Sequence, residues 1–207
     1  MKFKFYALKL SGIIILVFIL ELLIPSFIEV FVLNEKAFSQ IWRFLTAVFL
    51  HSGVAHLLYN IFALALFGSI LERIIGGRKF LIIFFITGIL ANLFSVNFYS
   101  SSLGASGAIF GVIGALIVVR PWQVVWAFGL PMPIFIAGIL WGIGDVIGAV
   151  GFLSGNPIDN IGNLAHLSGM IFGLVFGALY RKKKKRRKNK IRIKERDIRK
   201  WEEGFLR

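Results

Sequence analysis

The chain contains no cysteine. Disulfides, thiolate nucleophiles and cysteine-ligated metals are therefore excluded. Acidic residues are scarce too, with 10 Asp and Glu against 24 Lys and Arg. Between Lys79 and Arg120 there is no charge of either sign. A soluble domain of 207 residues would carry far more. No small-residue cleavage site follows the first apolar run, so that run reads as a retained span and not as a removable leader.

What is present is apolar. Hydrophobic residues make up 57% of the chain, and the mean hydropathy is +0.82. Runs close to the ~20 residues that span a bilayer recur along it. The fold class this implies is an all-α, multi-pass membrane protein. The net charge of +14 says little about a substrate, because 15 of the 24 basic residues fall in the last 27 positions, Arg181 to Arg207. The chain divides into a membrane body, 1–180, and a basic tail, 181–207.

Six spans are predicted, at 8–24, 54–71, 80–98, 106–119, 132–153 and 162–180. The loop from Pro25 to His51 is long and holds Trp42 and Arg43. The stretch from Pro121 to Pro131 carries two tryptophans and reads as interfacial. Basic residues cluster before the first span, between the second and third, after the fourth and after the sixth. That pattern puts both termini in the cytoplasm. The second, fourth and sixth helices then run from outside to inside.

"SSLGASGAIFG" (101–111) interrupts this apolar chain with a small, polar loop. Ser106 lies 14 residues before Arg120, His166 15 before Arg181, and Asn60 13 before Arg73. At 1.5 Å per residue, all three stand about 20–22 Å above their cytoplasmic charges. In a core about 30 Å thick they share one level, roughly 8–10 Å below the outer surface. The fourth span is too short to cross, so its loop must dip inward to meet it. Backbone at that depth must be buried in protein or line a watery cavity. The plain alternative is a polar loop in which Ser106 caps the helix. Gly107, Gly111 and Ala115 recur every four residues, as do Ala165, Gly169, Gly173 and Gly177. Such ridges let helices approach closely in lipid. Packing them together brings Ser106 and His166 within reach of each other.

A serine hydroxyl attacks once a base takes its proton, and His166 in its neutral form can do that. No carboxylate is clearly placed to orient it. Asp145, inside the fifth span, is a candidate by its cost in lipid, although a structural hydrogen bond is the preferred reading. Asp159 reads as a solvated loop residue. The economical arrangement is a Ser–His dyad. His56 and Asn60 are four apart on one helix face, and with the Ser106 N–H they supply three donors to an oxyanion. Each could equally be a simple interhelical hydrogen bond. His51 is given a structural or loop-orienting role. No cofactor and no metal are expected. A metal site built on His51, His56 and His166 is weak, since the spacing matches no HExxH pattern.

"WRFLTAVFLHSGVAHLLYN" (42–60), "FGSILER" (67–73), "GASG" (104–107) and "AHLSGMIFG" (165–173) resemble the rhomboid intramembrane serine proteases, in order and on the corresponding helices. The resemblance covers the six-helix body. It implies a rhomboid-like six-transmembrane-helix bundle. In it Ser106 is the nucleophile, His166 the base, and His56, Asn60 and Ser106 form the oxyanion hole. The family often carries tyrosine where this chain has Phe110, so any role of that hydroxyl is missing here. The implied partners are transmembrane segments of other proteins, cut near their outer end. The alternative is a non-catalytic rhomboid-like protein that binds helical membrane clients.

Ile191, Ile198, Trp201 and Phe205 are spaced 7, 3 and 4 apart. This predicts a short amphipathic helix on the inner leaflet, drawn to anionic lipid by the surrounding basic residues. The plain alternative is a solvated topology anchor. Nucleic acid is not expected as a partner. The expected location is a prokaryotic cell membrane, as an integral multi-pass protein.

Overall fold

The computed structural model describes residues 4–181 together with Glu195, Arg199, Glu203 and Gly204. The first helix, α1 (Tyr6–Leu23), is followed by a long connection. That connection contains α2 (Phe27–Phe31), the short strand β1 (Leu33–Asn34) and α3 (Arg43–Thr46). Next, α4 (Val54–Ala63) continues through a wide turn at Leu64–Gly68 into α5 (Ser69–Ile75), forming one rod. After α6 (Gly77–Ser95) comes the strand β2 (Ser101–Ser102) and then α7 (Ser106–Val119). A hairpin of β3 (Val124–Ala127) and β4 (Leu130–Pro133) leads into α8 (Ile134–Leu153) and finally α9 (Asn163–Tyr180). Five of these helices, counting α4–α5 as one, are long and apolar enough to cross a membrane. The apolar helix α7 has 14 residues, about 21 Å of rise.

That short helix is the centre of the molecule. Gly107 to Leu116 is buried along α7 with the single exception of Phe110, which is partly covered. Its main neighbour is α9, the most extensive helix contact in the structure. The two ridges meet one to one. A Cβ at Gly169 would collide with the Gly107 carbonyl, and one at Gly173 with the Gly111 carbonyl. A Cβ at Gly177 would stand 2.8 Å from the Ala115 backbone. The matched pairs keep a constant offset along both chains, so the helices are parallel and in fixed register. Exposed side chains such as Leu16, Leu22, Tyr59, Leu140, Ile171 and Leu179 form the outer, lipid-compatible face.

The observed helices extend past the predicted spans where charge suggested a boundary. The second rod continues to Ile75, beyond Glu72 and Arg73. Glu72 is only 1% exposed, because its carboxylate accepts the Lys4 N–H at 3.2 Å and the Ala7 N–H at 3.1 Å. Those donors belong to the start of α1, where a helix has no partners of its own. The chain then turns at Gly76, whose φ of 89° favours glycine. The tryptophan-bearing segment after Arg120 is a hairpin and not merely an interfacial stretch. Its turn, Phe128–Gly129, has positive φ at both residues, the geometry that suits tightly paired strands.

The long first loop is tied down by Arg43, which is 4% exposed. Its Nη1 donates to the carbonyls of Glu29 (2.8 Å) and Val32 (2.7 Å), and its Nε to Gln40 Oε1 (2.6 Å). The amphipathic tail helix expected on Ile191, Ile198, Trp201 and Phe205 lies outside the described residues.

Gly173→Ala is expected to lower stability by about 1–3 kcal/mol or more, because the methyl meets fixed backbone. Gly142→Ala, where no atom lies within 4 Å of the new Cβ, is expected to stay within ~1 kcal/mol of the parent. Thermal unfolding of both variants in detergent micelles tests the contrast.

Candidate active site

The polar loop before α7 is held at three points. Ser101 and Ser102 pair with Asn34 and Leu33 across β1 and β2. The Gly104 N–H donates to the Ala47 carbonyl at 2.9 Å. The Tyr99 hydroxyl accepts the Leu164 N–H at 3.2 Å, in the first turn of α9. This loop therefore ties the start of α7 both to the first loop and to the start of α9.

Ser106 is the first residue of α7 and is half-buried. The capping position is Ala105, and no side chain caps this helix. The hydroxyl is thus not used as a cap, the role the plain alternative gave it. The first intrahelical bond at this end is from Ile109 N–H to Ala105 O. The Ser106, Gly107 and Ala108 amides at the helix start are consequently available as donors, at the positive end of the helix dipole.

Gly104 explains how His56 comes alongside. Its φ of +124° is unfavourable for other residues, and a Cβ there would stand 2.7–2.8 Å from the His56 ring and 3.8 Å from Ser106 Oγ. The imidazole and the hydroxyl thus flank the same glycine. The Ser52 N–H donates to His56 Nδ1 at 3.4 Å, and Ser52 Oγ lies 3.1 Å from the same nitrogen. A backbone amide can only donate, so the neutral ring carries its proton on Nε2. Nε2 is the nitrogen next to Gly104, and it is therefore a donor. Asn60, one turn further along, is 4% exposed. Its Nδ2 donates to the His56 carbonyl at 2.9 Å, which leaves one amide hydrogen for another acceptor.

His166 sits in the first turns of α9. Its ring stacks on Phe110, with centroids 4.3 Å apart and planes inclined by 8°. Phe110 is one turn after Ser106 on the same face of α7. The glycine register places His166 at the level of Gly104, about 3 Å of helix rise from Ser106. Among the described residues no hydrogen bond joins Ser106 Oγ to His166.

Asp145, a candidate to orient His166 for which a structural hydrogen bond is the preferred reading of the sequence, lies against that imidazole. Its Oδ1 lies 3.0 Å from His166 Nδ1, and the carboxylate is buried. The only signal in the sequence was a single acid inside an apolar span. Ser52 gave no signal at all. Asp159, read as solvated, accepts from Ile161 N–H (3.0 Å) and Asn163 Nδ2 (2.9 Å) in the loop before α9.

His51 lies behind His56, with ring centroids 5.0 Å apart. Its own N–H donates to the Glu21 carboxylate at 3.1 Å, and its Nδ1 bonds the Phe49 carbonyl at 3.2 Å. Among the described residues no three His, Cys, Asp or Glu side chains are grouped to hold a metal.

A Rhomboid domain model matches residues 39–183, from the first loop through the glycine ridge of α9. The chain belongs to the rhomboid family. This rhomboid is 37% identical over 138 residues to Rhomboid protease GluP of Bacillus subtilis, covering 66% of this chain and 25% of that protein. It is 32% identical over 155 residues to Rhomboid protease GlpG of Haemophilus influenzae, covering 73% and 76%. It is also 32% identical over 143 residues to Inactive RHOMBOID-like protein 8 of Arabidopsis thaliana, covering 64% and 38%. The match thus spans a quarter of the Bacillus protein and most of the Haemophilus one.

Burial, and then the nearby His56, push the His51 pKa down from 6.5 to about 4, against the raising effect of its bond to the Phe49 carbonyl. The unfolded chain takes up this proton near pH 6.5 and the folded chain only near pH 4. Stability is therefore lost as pH falls through that window, by about 1–3 kcal/mol. Unfolding midpoints measured from pH 7 to 4 should show this acid limb in the parent and a flatter one in His51→Gln.

Proposed function

We propose that this rhomboid is an intramembrane serine endopeptidase that cleaves transmembrane segments of other membrane proteins near their outer end. The observation that supports the reading is the glycine-locked pairing of α7 with α9, which leaves Ser106 and His166 about 3 Å apart in height on facing helices. In this reading Ser106 Oγ bonds to the scissile carbonyl carbon and its proton passes to His166 Nε2. The carbonyl oxygen becomes an oxyanion held by His56 Nε2–H, the free Asn60 hydrogen and the Ser106 N–H. Collapse breaks the C–N bond, and the proton moves from His166 to the leaving amine. Water then repeats the sequence on the acyl-enzyme.

The body, 1–180, crosses the membrane six times, with the short α7 counted as the fourth crossing. Both termini lie in the cytoplasm of a prokaryotic cell, and the basic tail, 181–207, contacts anionic lipid at the inner leaflet. The basic residues Arg73, Arg120 and Arg181 at the far ends of α5, α7 and α9 support that orientation. A second reading, retention of helical clients without cleavage, is favoured by the inactive Arabidopsis relative. The presence of both Ser106 and His166 favours proteolysis.

Labelling by a serine-reactive fluorophosphonate and cleavage of a model transmembrane substrate in liposomes separate the two. Both are expected in the parent and lost in Ser106→Ala, with His166→Ala reducing cleavage at least ~10²-fold. Equal processing by parent and Ser106→Ala would end the protease reading. The scissile bond must also leave its helix to reach Ser106. A substrate with Gly or Pro near the cut should accordingly be cleaved faster than an all-leucine segment of equal length, as followed by gel or mass spectrometry.

A further inference from the structure

We propose that Asp145 is a positioning residue for His166, making the Ser106 site a three-membered array and not a bare dyad. This rests on the protease reading above. The carboxylate sits in the interior of α8, eight residues before its end at Leu153, about 12 Å of rise below it. An ionisable side chain at such a place is costly and needs a partner. Among the described residues its one hydrogen-bond partner is His166 Nδ1, at 3.0 Å from Oδ1. Its Oδ2 is buried and has no hydrogen-bond partner among the described residues. A carboxylate kept merely to join two helices would be expected to use both oxygens.

The bond has a direct chemical consequence. A carboxylate accepts, so Nδ1 carries the proton and Nε2 holds the lone pair. The stack on Phe110 fixes the ring plane, and the Nδ1 bond fixes which edge faces Asp145. Nε2 is thereby turned away from α8. When His166 takes the serine proton, Asp145 faces the new positive charge without itself being protonated. The fold makes room for this approach at Gly148, one turn after Asp145. A Cβ there would collide with the Asn163 side chain at the start of α9. Small size at 148 lets the two helices close until the acid reaches the imidazole.

The other groups facing His166 are few. From α4 comes His56, which interacts with it electrostatically, with His51 behind it. From α7 come Ser106 and Phe110, neither of which titrates in this range. From the loops come Tyr99, bonded to Leu164 N–H, and Asp159, bonded to Asn163. The ionisable groups of α6, Arg78 and Lys79, lie at its opposite end, where Lys79 stands over the Tyr180 ring. Asp145 is the only acid in hydrogen-bond contact with the imidazole among the described residues.

The test compares the full-length parent, Asp145→Asn and Asp145→Leu in liposomes, with active sites counted by fluorophosphonate labelling to completion. Leucine suits a membrane helix, so misfolding through poor insertion is not a general explanation for both variants. The proposal expects kcat per labelled site to fall about 10²–10⁴-fold in both, with KM within about threefold. It also expects the acid limb of the pH–rate profile to move towards acid, because the anion that favours the charged imidazole is gone. Nitrogen NMR of histidine-labelled Ser106→Ala protein reads the tautomer without needing activity. His166 should be protonated on Nδ1 with Asp145 present and shift towards a mixture with leucine. Parent-like kcat and pH profile, or an unchanged tautomer, overturns the role of Asp145. Cleavage that survives Ser106→Ala overturns the protease reading instead, and the tautomer measurement still decides whether Asp145 sets the ring.

Discussion

Backbone resting on backbone, between α7 and α9, is the constraint on which the rest of this molecule depends. Lipid offers no hydrophobic drive to bring two apolar helices together. Close packing must supply the attraction, and glycine allows the closest packing. Gly169 on Gly107 and Gly173 on Gly111 leave no slack for a methyl group. Sliding one helix along the other would drive carbonyls into Cα atoms. The heights of Ser106 and His166 are therefore set by a contact that begins one residue away from the first and three from the second.

Around that fixed pair the polar chemistry follows a single pattern. Three histidines each use Nδ1 for a hydrogen bond: His51 to the Phe49 carbonyl and His56 to Ser52 within their own stretch of chain, and His166 to Asp145 on another helix. In each case the ring is oriented by its inner nitrogen. The partner decides what the outer nitrogen can do. An N–H donor at His56 leaves a proton on Nε2, whereas a carboxylate at His166 leaves a lone pair there. Two chemically identical side chains on different helices thus present opposite character, one a donor and one an acceptor. Gly104 brings the first of these to the side of Ser106, and Phe110 steadies the second.

Much of this was legible in the chain. Charge-free runs gave the helices, and the small-residue ridges gave the α7–α9 contact, because both signals are periodic and local. Ser106, His166 and His56 stood out as rare polar residues on ordered motifs. Asp145 did not gain its partner until the structure, since nothing local relates position 145 to position 166. Glu72 read as the end of a helix, and its real contact is 65 residues away at the start of α1. Ser52 was one small polar residue in a loop. The hairpin after Arg120 was hidden because tryptophan, valine and proline there suit a membrane interface and a strand alike.

Glu72 also bears on how the chain assembles. Helix α1 is made before α5, yet the acid that accepts from its leading amides follows 65 and 68 residues after them in the chain. Until then those amides must find water or headgroups. A single buried carboxylate thereby ties the start of α1 to the end of the second rod, and every residue of that tie precedes the helices that carry Ser106 and His166.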